Sequence, residues 1–192
     1  MKKILKQKYI KNEDIIIEPN DILKEVSKDV ALPLEKDDEK LLRIMYNHVS
    51  NSQNSEYLEK YDIRSAVGIA AIQLGVAKNM LAIKTGDEDG NQHKYMLANP
   101  KFIEKSEQMS YLRGGEGCLS VEEGKYSGLV PRHHHIVVEA YNLFSKSIET
   151  IELEGYVAIV LQHEMDHLEG KLYFEKINKL DPNFKQEDWI EV

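Results

Sequence analysis

The chain has little cysteine, little tryptophan and no long apolar run. One Cys stands among 192 residues, with one Trp, four Phe and five Pro. A lone Cys118 excludes an internal disulfide and leaves a thiol that is either buried filler or chemically employed. No apolar stretch approaches membrane-spanning length. The opening MKKILKQKYIKNED carries lysines but no apolar segment behind them, as a signal peptide would have, so a cytoplasmic location is expected. Basic residues are in deficit: 25 Lys plus Arg face 33 acids, for a net charge of -8. That argues against a nucleic-acid footprint over the whole surface. Lys2, Lys3, Lys6, Lys8 and Lys11 precede the first acid, Glu13, and read as a solubilised N-terminal arm.

What is present is globular: 42% hydrophobic and 30% charged, of a length suited to one domain spanning residues 1–192. An amphipathic helix is expected from about Asp37, with Leu41, Leu42, Ile44, Met45 and His48 as its stripe. The polar segment from Asn51 to Asp62 reads as a long surface loop. Strands are expected at Met80–Lys84, Tyr95–Ala98, Lys101–Lys105, His135–Tyr141 and Ile148–Leu153, with a turn over Gly86–Gly90. From Gly155 the period changes to that of a buried helix capped by Gly170, and Trp189 is expected to dock the tail. Strands first and a late buried helix give an α+β class, with antiparallel sheets packed around that helix.

Three stretches carry chemistry. In Gln162-His163-Glu164-Met165-Asp166-His167, two His at i and i+4 project from one helical face, one turn apart. That spacing lets them take two corners of one metal site, with Glu164 placed as a base. No His lies downstream. Upstream, Glu116-Gly117-Cys118-Leu119-Ser120 offers a thiolate in a glycine-rich loop, which completes a Cys118, His163, His167 set with a fourth position open. Such an open site is catalytic rather than structural. The third stretch, Ala66-Val67-Gly68-Ile69-Ala70-Ala71-Ile72-Gln73, is small-residue backbone followed by an amide donor, and alone it reads as close packing. Arg132-His133-His134-His135 reads as a solvent-facing strand entry, because alternate strand residues face opposite sides.

Together, in this order, the three stretches resemble the peptide deformylase family, over about residues 60 to 177. The polar segment before the first motif resembles the larger Gram-positive type. Two positions depart from the family pattern: Ala66 replaces a Gly, strained if that backbone needs positive φ, and Ile72 stands where Pro is common. The resemblance implies removal of the formyl group from N-formyl-methionyl nascent peptides, with formate released. It implies catalytic roles for Glu164, Gln73 and the Leu119 N–H, the last two facing an oxyanion. It implies one divalent metal per chain on Cys118, His163 and His167, with Fe2+ native and Zn2+, Ni2+ or Co2+ as substitutes. Val67, Gly68 and Ile69 are expected to pair with the substrate backbone, with Glu116 and Gly117 beside them. Glu116 is also a candidate holder of the Cys loop, and Asp166 a partner for Arg132. Transient ribosome contact is expected, with no membrane and no sequence-specific nucleic acid. The alternative is a non-catalytic metal-binding or ribosome-associated protein on the same fold.

Overall fold

The computed structural model describes every residue except Lys2 and Lys8. These two members of the basic N-terminal stretch lie outside the described residues. Of the rest of that stretch, Lys3 pairs with the buried Asp14 at 2.8 Å.

Among the described residues, three α-helices and two sheets make up an α+β architecture. Helix α1 spans Lys36–Asn51. Asp37, Asp38 and Glu39 sit in its first turn, where the helix dipole favours negative charge. It buries Leu41, Leu42, Ile44, Met45, His48 and Val49, the expected stripe. The segment read as a loop contains a second helix, α2, at Ser55–Tyr61. It buries none of its residues, so it carries no apolar periodicity to find. The Asn54 side chain caps it by accepting from the Tyr57 N–H at 3.1 Å. Tyr57 and Tyr61 then pack on Tyr9, with ring centroids 6.5 and 4.4 Å away.

The main sheet has five strands: β1 (Gly68–Ala70), β2 (Met80–Gly86), β3 (Gln92–Lys105), β6 (His135–Asn142) and β7 (Ser147–Glu154). They lie in the order β1-β2-β3-β6-β7, every neighbouring pair antiparallel. The two strands expected at Tyr95–Ala98 and Lys101–Lys105 are one strand with a register shift between Ala98 and Lys101. Asn99, at φ 52°, makes that bulge, and Pro100 follows without an N–H to donate. Alternation along the strands gives the sheet two covered faces. Ile69, Met80, Ala82, Met96 and Ala98 face α1. Ala70, Leu81, Ile83, Leu97, Ile136 and Val138 face the last helix.

That helix, α3, spans Gly155–Leu168 and is buried nearly all round. Each fully buried Leu, Ile or Val of this kind contributes about 1.5–3 kcal/mol. Gly170 ends it at φ +72°, and a Cβ there would lie 2.3 Å from the Lys24 carbonyl oxygen, so the close approach requires glycine.

The second sheet corrects the expectation of antiparallel sheets throughout. Its order is β5-β4-β8, from Arg132–His133, Met109–Tyr111 and Ile190–Glu191, and β4 pairs with β8 in parallel. The tail is held by this ladder, by Val192 N–H donating to the Tyr111 carbonyl at 2.9 Å, and by Tyr111 Oη donating to Glu191 at 3.0 Å. Trp189 is only half-buried and meets Phe184 edge-on at 6.0 Å. Among the described residues, no helix is long and apolar enough to cross a membrane.

Candidate metal centre

Helix α3 presents His163 and His167 on one face, with ring centroids 5.0 Å apart. The loop after β4 brings Cys118 to them. The Cys118 Sγ lies 3.2 Å from His167 Nε2, and one ligand atom from each of Cys118, His163 and His167 falls within 4.8 Å of the others. One sulfur and two imidazole nitrogens converging below the surface form a donor set that suits a divalent ion such as iron or zinc.

The surroundings orient the donors. Glu116 accepts from His163 Nδ1 at 2.7 Å, which leaves Nε2 of that ring for the cluster. The same carboxylate takes both Nε and Nη2 of Arg132, at 2.7 and 2.8 Å. Arg132 is 1% exposed, so it points inward under α3 and not to solvent as its stretch suggested. Its other arm donates to Asp166, the expected pairing, and Asp166 also accepts from Lys176 at 2.8 Å. Burial opposes charge on Glu116, but Arg132 and His163 outweigh it and bring its pKa down to about 2. Burial also opposes charge on His163, and hydrogen bonding to Cys118 and Glu116 overcomes it, raising that pKa well above the usual value. His167 goes the other way: burial, with the charges of His163 and Arg132, holds it well below the ordinary imidazole range.

Glu164 lies on the same helix and is 4% exposed. Burial pushes its carboxyl up to about 7, into the range where it exchanges protons at neutral pH. It packs onto the backbone of β1. A Cβ built on Gly68 would lie 2.4 Å from Glu164 Oε1 and 2.8 Å from both its Cδ and Cγ. Gly68 is therefore the residue that makes room for this carboxylate.

Gln73 sits in a short 3-10 helix, Ala71–Leu74, and is 2% exposed. Its carbonyl oxygen accepts from the Ala70 N–H at 2.8 Å, which aims the amide nitrogen at Ser120 Oγ, 3.1 Å, and Cys118 Sγ, 3.7 Å. The Ser120 N–H also donates to Cys118 Sγ at 3.4 Å. Gln73 thus belongs to the rim of the cluster. Ala66 carries no strain: among the described residues other than glycine, only Asp62, Asn99 and Lys146 have positive φ. Its N–H donates to Ser52 Oγ at 3.1 Å, and Ile72 is fully buried on the α3 face.

A cleft of about 250 Å³ opens onto this centre. Val67, Gly68, Gln73, Glu116, Gly117, Cys118, Leu119, His163 and Glu164 all line it, so most expected site residues share one space. Ile69 does not; it is fully buried against α1. β1 lies at the end of the sheet order, with β2 as its one strand neighbour, and its outer edge borders the cleft. Leu112, Tyr156, Ile159 and Val160 form an apolar wall that motif reasoning did not find. Ile159 and Val160 read only as core, because helical periodicity does not separate a core face from a cleft face. Arg64 also escaped notice, since nothing in the local sequence links it to the Cys loop. The His-rich stretch builds no second centre: His133 Nδ1 meets the Ser106 carbonyl at 2.7 Å and His135 Nε2 meets Glu152 at 2.9 Å.

A buried thiolate–imidazole donor set, a desolvated carboxylate beside it and an open cleft define the class of metal-dependent hydrolases. The model of the polypeptide deformylase family matches residues 12–183, and the chain belongs to that family. A peptide deformylase of Halalkalibacterium halodurans is 42% identical over 175 residues, covering 91% of this chain and 95% of that protein. One from Oceanobacillus iheyensis is 44% identical over 170 residues, covering 88% and 92%. Among solved structures, peptide deformylase from Thermus thermophilus has a TM-score of 0.67 at 29% identity, covering 87% of this chain and 86% of that one. The actinonin-bound class I type b enzyme from Acinetobacter baumannii has a TM-score of 0.70 at 25% identity, covering 90% and 100%.

Proposed function

We infer that this chain is a metal-dependent hydrolase that removes the formyl group from N-formyl-methionyl nascent peptides and releases formate. The observation that carries this reading is the convergence of Cys118, His163 and His167 on one point beside the buried Glu164, in a chain of the deformylase family. Cys118, His163 and His167 hold the ion, and Glu116 and Arg132 keep the His163 ring turned toward it. A divalent ion held there would supply Lewis acidity and make hydroxide available near neutral pH.

The chain's own groups do the rest. Glu164 accepts the proton of the attacking water and returns it to the departing methionine nitrogen as the C–N bond breaks. The Gln73 amide and the Leu119 N–H donate to the oxyanion that develops on the formyl oxygen. Gly68, at the free edge of β1, and Val67 just before it pair with the substrate backbone, so affinity is shared across many peptide sequences. Ile69 supplies backbone there, its side chain being committed to the core. The methionine side chain lies against Leu112, Tyr156, Ile159 and Val160. Gly117 lines the cleft beside Cys118, with open space where a side chain would stand.

The native ion is Fe2+, with Zn2+, Ni2+ and Co2+ as substitutes, and the Cys118 thiolate makes the iron form oxygen-sensitive. Residues 1–192 act as one catalytic domain, in the cytoplasm, with transient ribosome contact. Glu164→Ala tests the reading. Turnover of formyl-Met-Ala-Ser collapses while the ion stays bound; unchanged behaviour would instead mark a non-catalytic binding protein.

A further inference from the structure

Arg64 has no part in the cluster or in Glu164's contacts, yet it reaches across the loop that carries Cys118. Its Nη2 donates to the Cys118 carbonyl at 3.1 Å. Its Nη1 donates to the carbonyls of Leu119 and Val121, both at 3.2 Å. No carboxylate pairs with it among the described residues. The planar guanidinium fork is therefore spent on three backbone oxygens of one loop, which a lysine cannot match. The side chain lies between the cleft and a second hollow on the far side of the loop.

The first of these bonds has a consequence for the chemistry. The Cys118 carbonyl and the Leu119 N–H are the two ends of one peptide group. A cation at the oxygen end draws electron density there and leaves the N–H more positive, as happens along any hydrogen-bonded chain. The same bond holds the peptide against flipping, because a charge-assisted hydrogen bond must break first.

We propose that Arg64 is a positioning residue: by binding the Cys118 carbonyl it fixes and polarises the Cys118–Leu119 peptide, so that the Leu119 N–H faces the developing oxyanion. This rests on the reading that the Leu119 N–H is an oxyanion donor. Losing such a donor outright costs about 10²–10³ in kcat; losing its polarisation and anchoring costs less, about 10- to 50-fold.

The test uses Arg64→Gln, Arg64→Lys and Arg64→Ala in the full chain, purified without oxygen. Formate release from formyl-Met-Ala-Ser and metal per chain are measured on each, and the Leu119 amide is followed by NMR in the zinc-loaded protein. Arg64→Gln lowers kcat by that factor with KM within about twofold and metal at the wild-type level. The Leu119 amide proton moves upfield, and Arg64→Lys keeps part of the rate. Millimolar guanidinium ion restores part of the activity of Arg64→Ala, which a merely structural role would not produce. Unchanged kcat, or a loss that follows metal loss, would overturn the proposal. If Arg64→Gln does not fold, Arg64→Lys carries the test by the same criteria. Wild-type protein without turnover sinks the functional reading itself. Active wild type, slow Gln73→Ala and full-rate Arg64→Gln sink only the role of Arg64.

Discussion

Gly68→Ala separates activity from stability. The new methyl would occupy space held by the Glu164 carboxylate, at 2.4 Å from Oε1 and 2.8 Å from Cγ. The backbone at 68 lies in an extended strand and accepts alanine without strain, so the contact alone decides the outcome. Relief comes from turning the Glu164 side chain, whose Oε2 has no hydrogen-bond partner to hold it, rather than from moving β1. Overpacking of this size costs about 1–3 kcal/mol, and a flexible side chain puts it near the lower end. The chemistry has no such tolerance. Shifting a proton-transfer group by about 1 Å costs on the order of 10²-fold in rate. The three atoms nearest the new methyl all belong to Glu164 and none to Cys118, His163 or His167, so the ion is expected to be retained. The assay is formate release with metal content and urea unfolding on the same preparation. A kcat reduced about 100-fold, with about 1 kcal/mol of stability lost and full metal, is expected. Wild-type kcat would refute the claim that Gly68 exists to seat Glu164.

Further expectations follow from the same geometry. Glu116→Gln loosens the hold on His163 and weakens metal affinity about 10- to 100-fold, read by competition with a chromophoric chelator. Arg132→Met leaves the buried Glu116 carboxylate without its guanidinium, while Asp166 keeps Lys176, and costs about 3 kcal/mol in urea unfolding. Burial lowers the pKa of His48 from 6.5 to about 4, so the folded state keeps this ring neutral while the unfolded chain protonates it. Stability from this group is present above pH 6.5 and is lost as pH falls toward 4, by up to about 3 kcal/mol. His48→Leu should flatten that part of the pH–stability curve relative to wild type, and parallel curves would show that His48 contributes nothing. Removing the ion with a chelator should lower the unfolding midpoint, with recovery on readdition of Zn2+ or Fe2+.

Much of the centre was legible because its spacing is covalent. His163 and His167 share a helical face by arithmetic alone, and a single Cys among glycines was a better third donor than the acids downstream. Other features depend on contacts between distant segments. Nothing near Arg64 indicates that its guanidinium lands on the Cys118 loop, more than fifty residues away. Ile159 and Val160 carry the same apolar signal as Val157 and Leu161, yet the first pair also lines the cleft. Helix α2 stayed hidden because it buries none of its residues, and only its Asn54 cap marks it locally. The parallel β4–β8 pairing joins segments some eighty residues apart, which no local pattern encodes. Whether alanine fits at position 66 depends on φ, which sequence does not show and which is not positive there.

The most direct test of the central claim is formate release from formyl-Met-Ala-Ser by protein purified without oxygen, with the metal counted on the same sample. Turnover at about one ion per chain, abolished by chelation and restored by Fe2+, is the predicted result. Full metal occupancy without turnover would contradict the account.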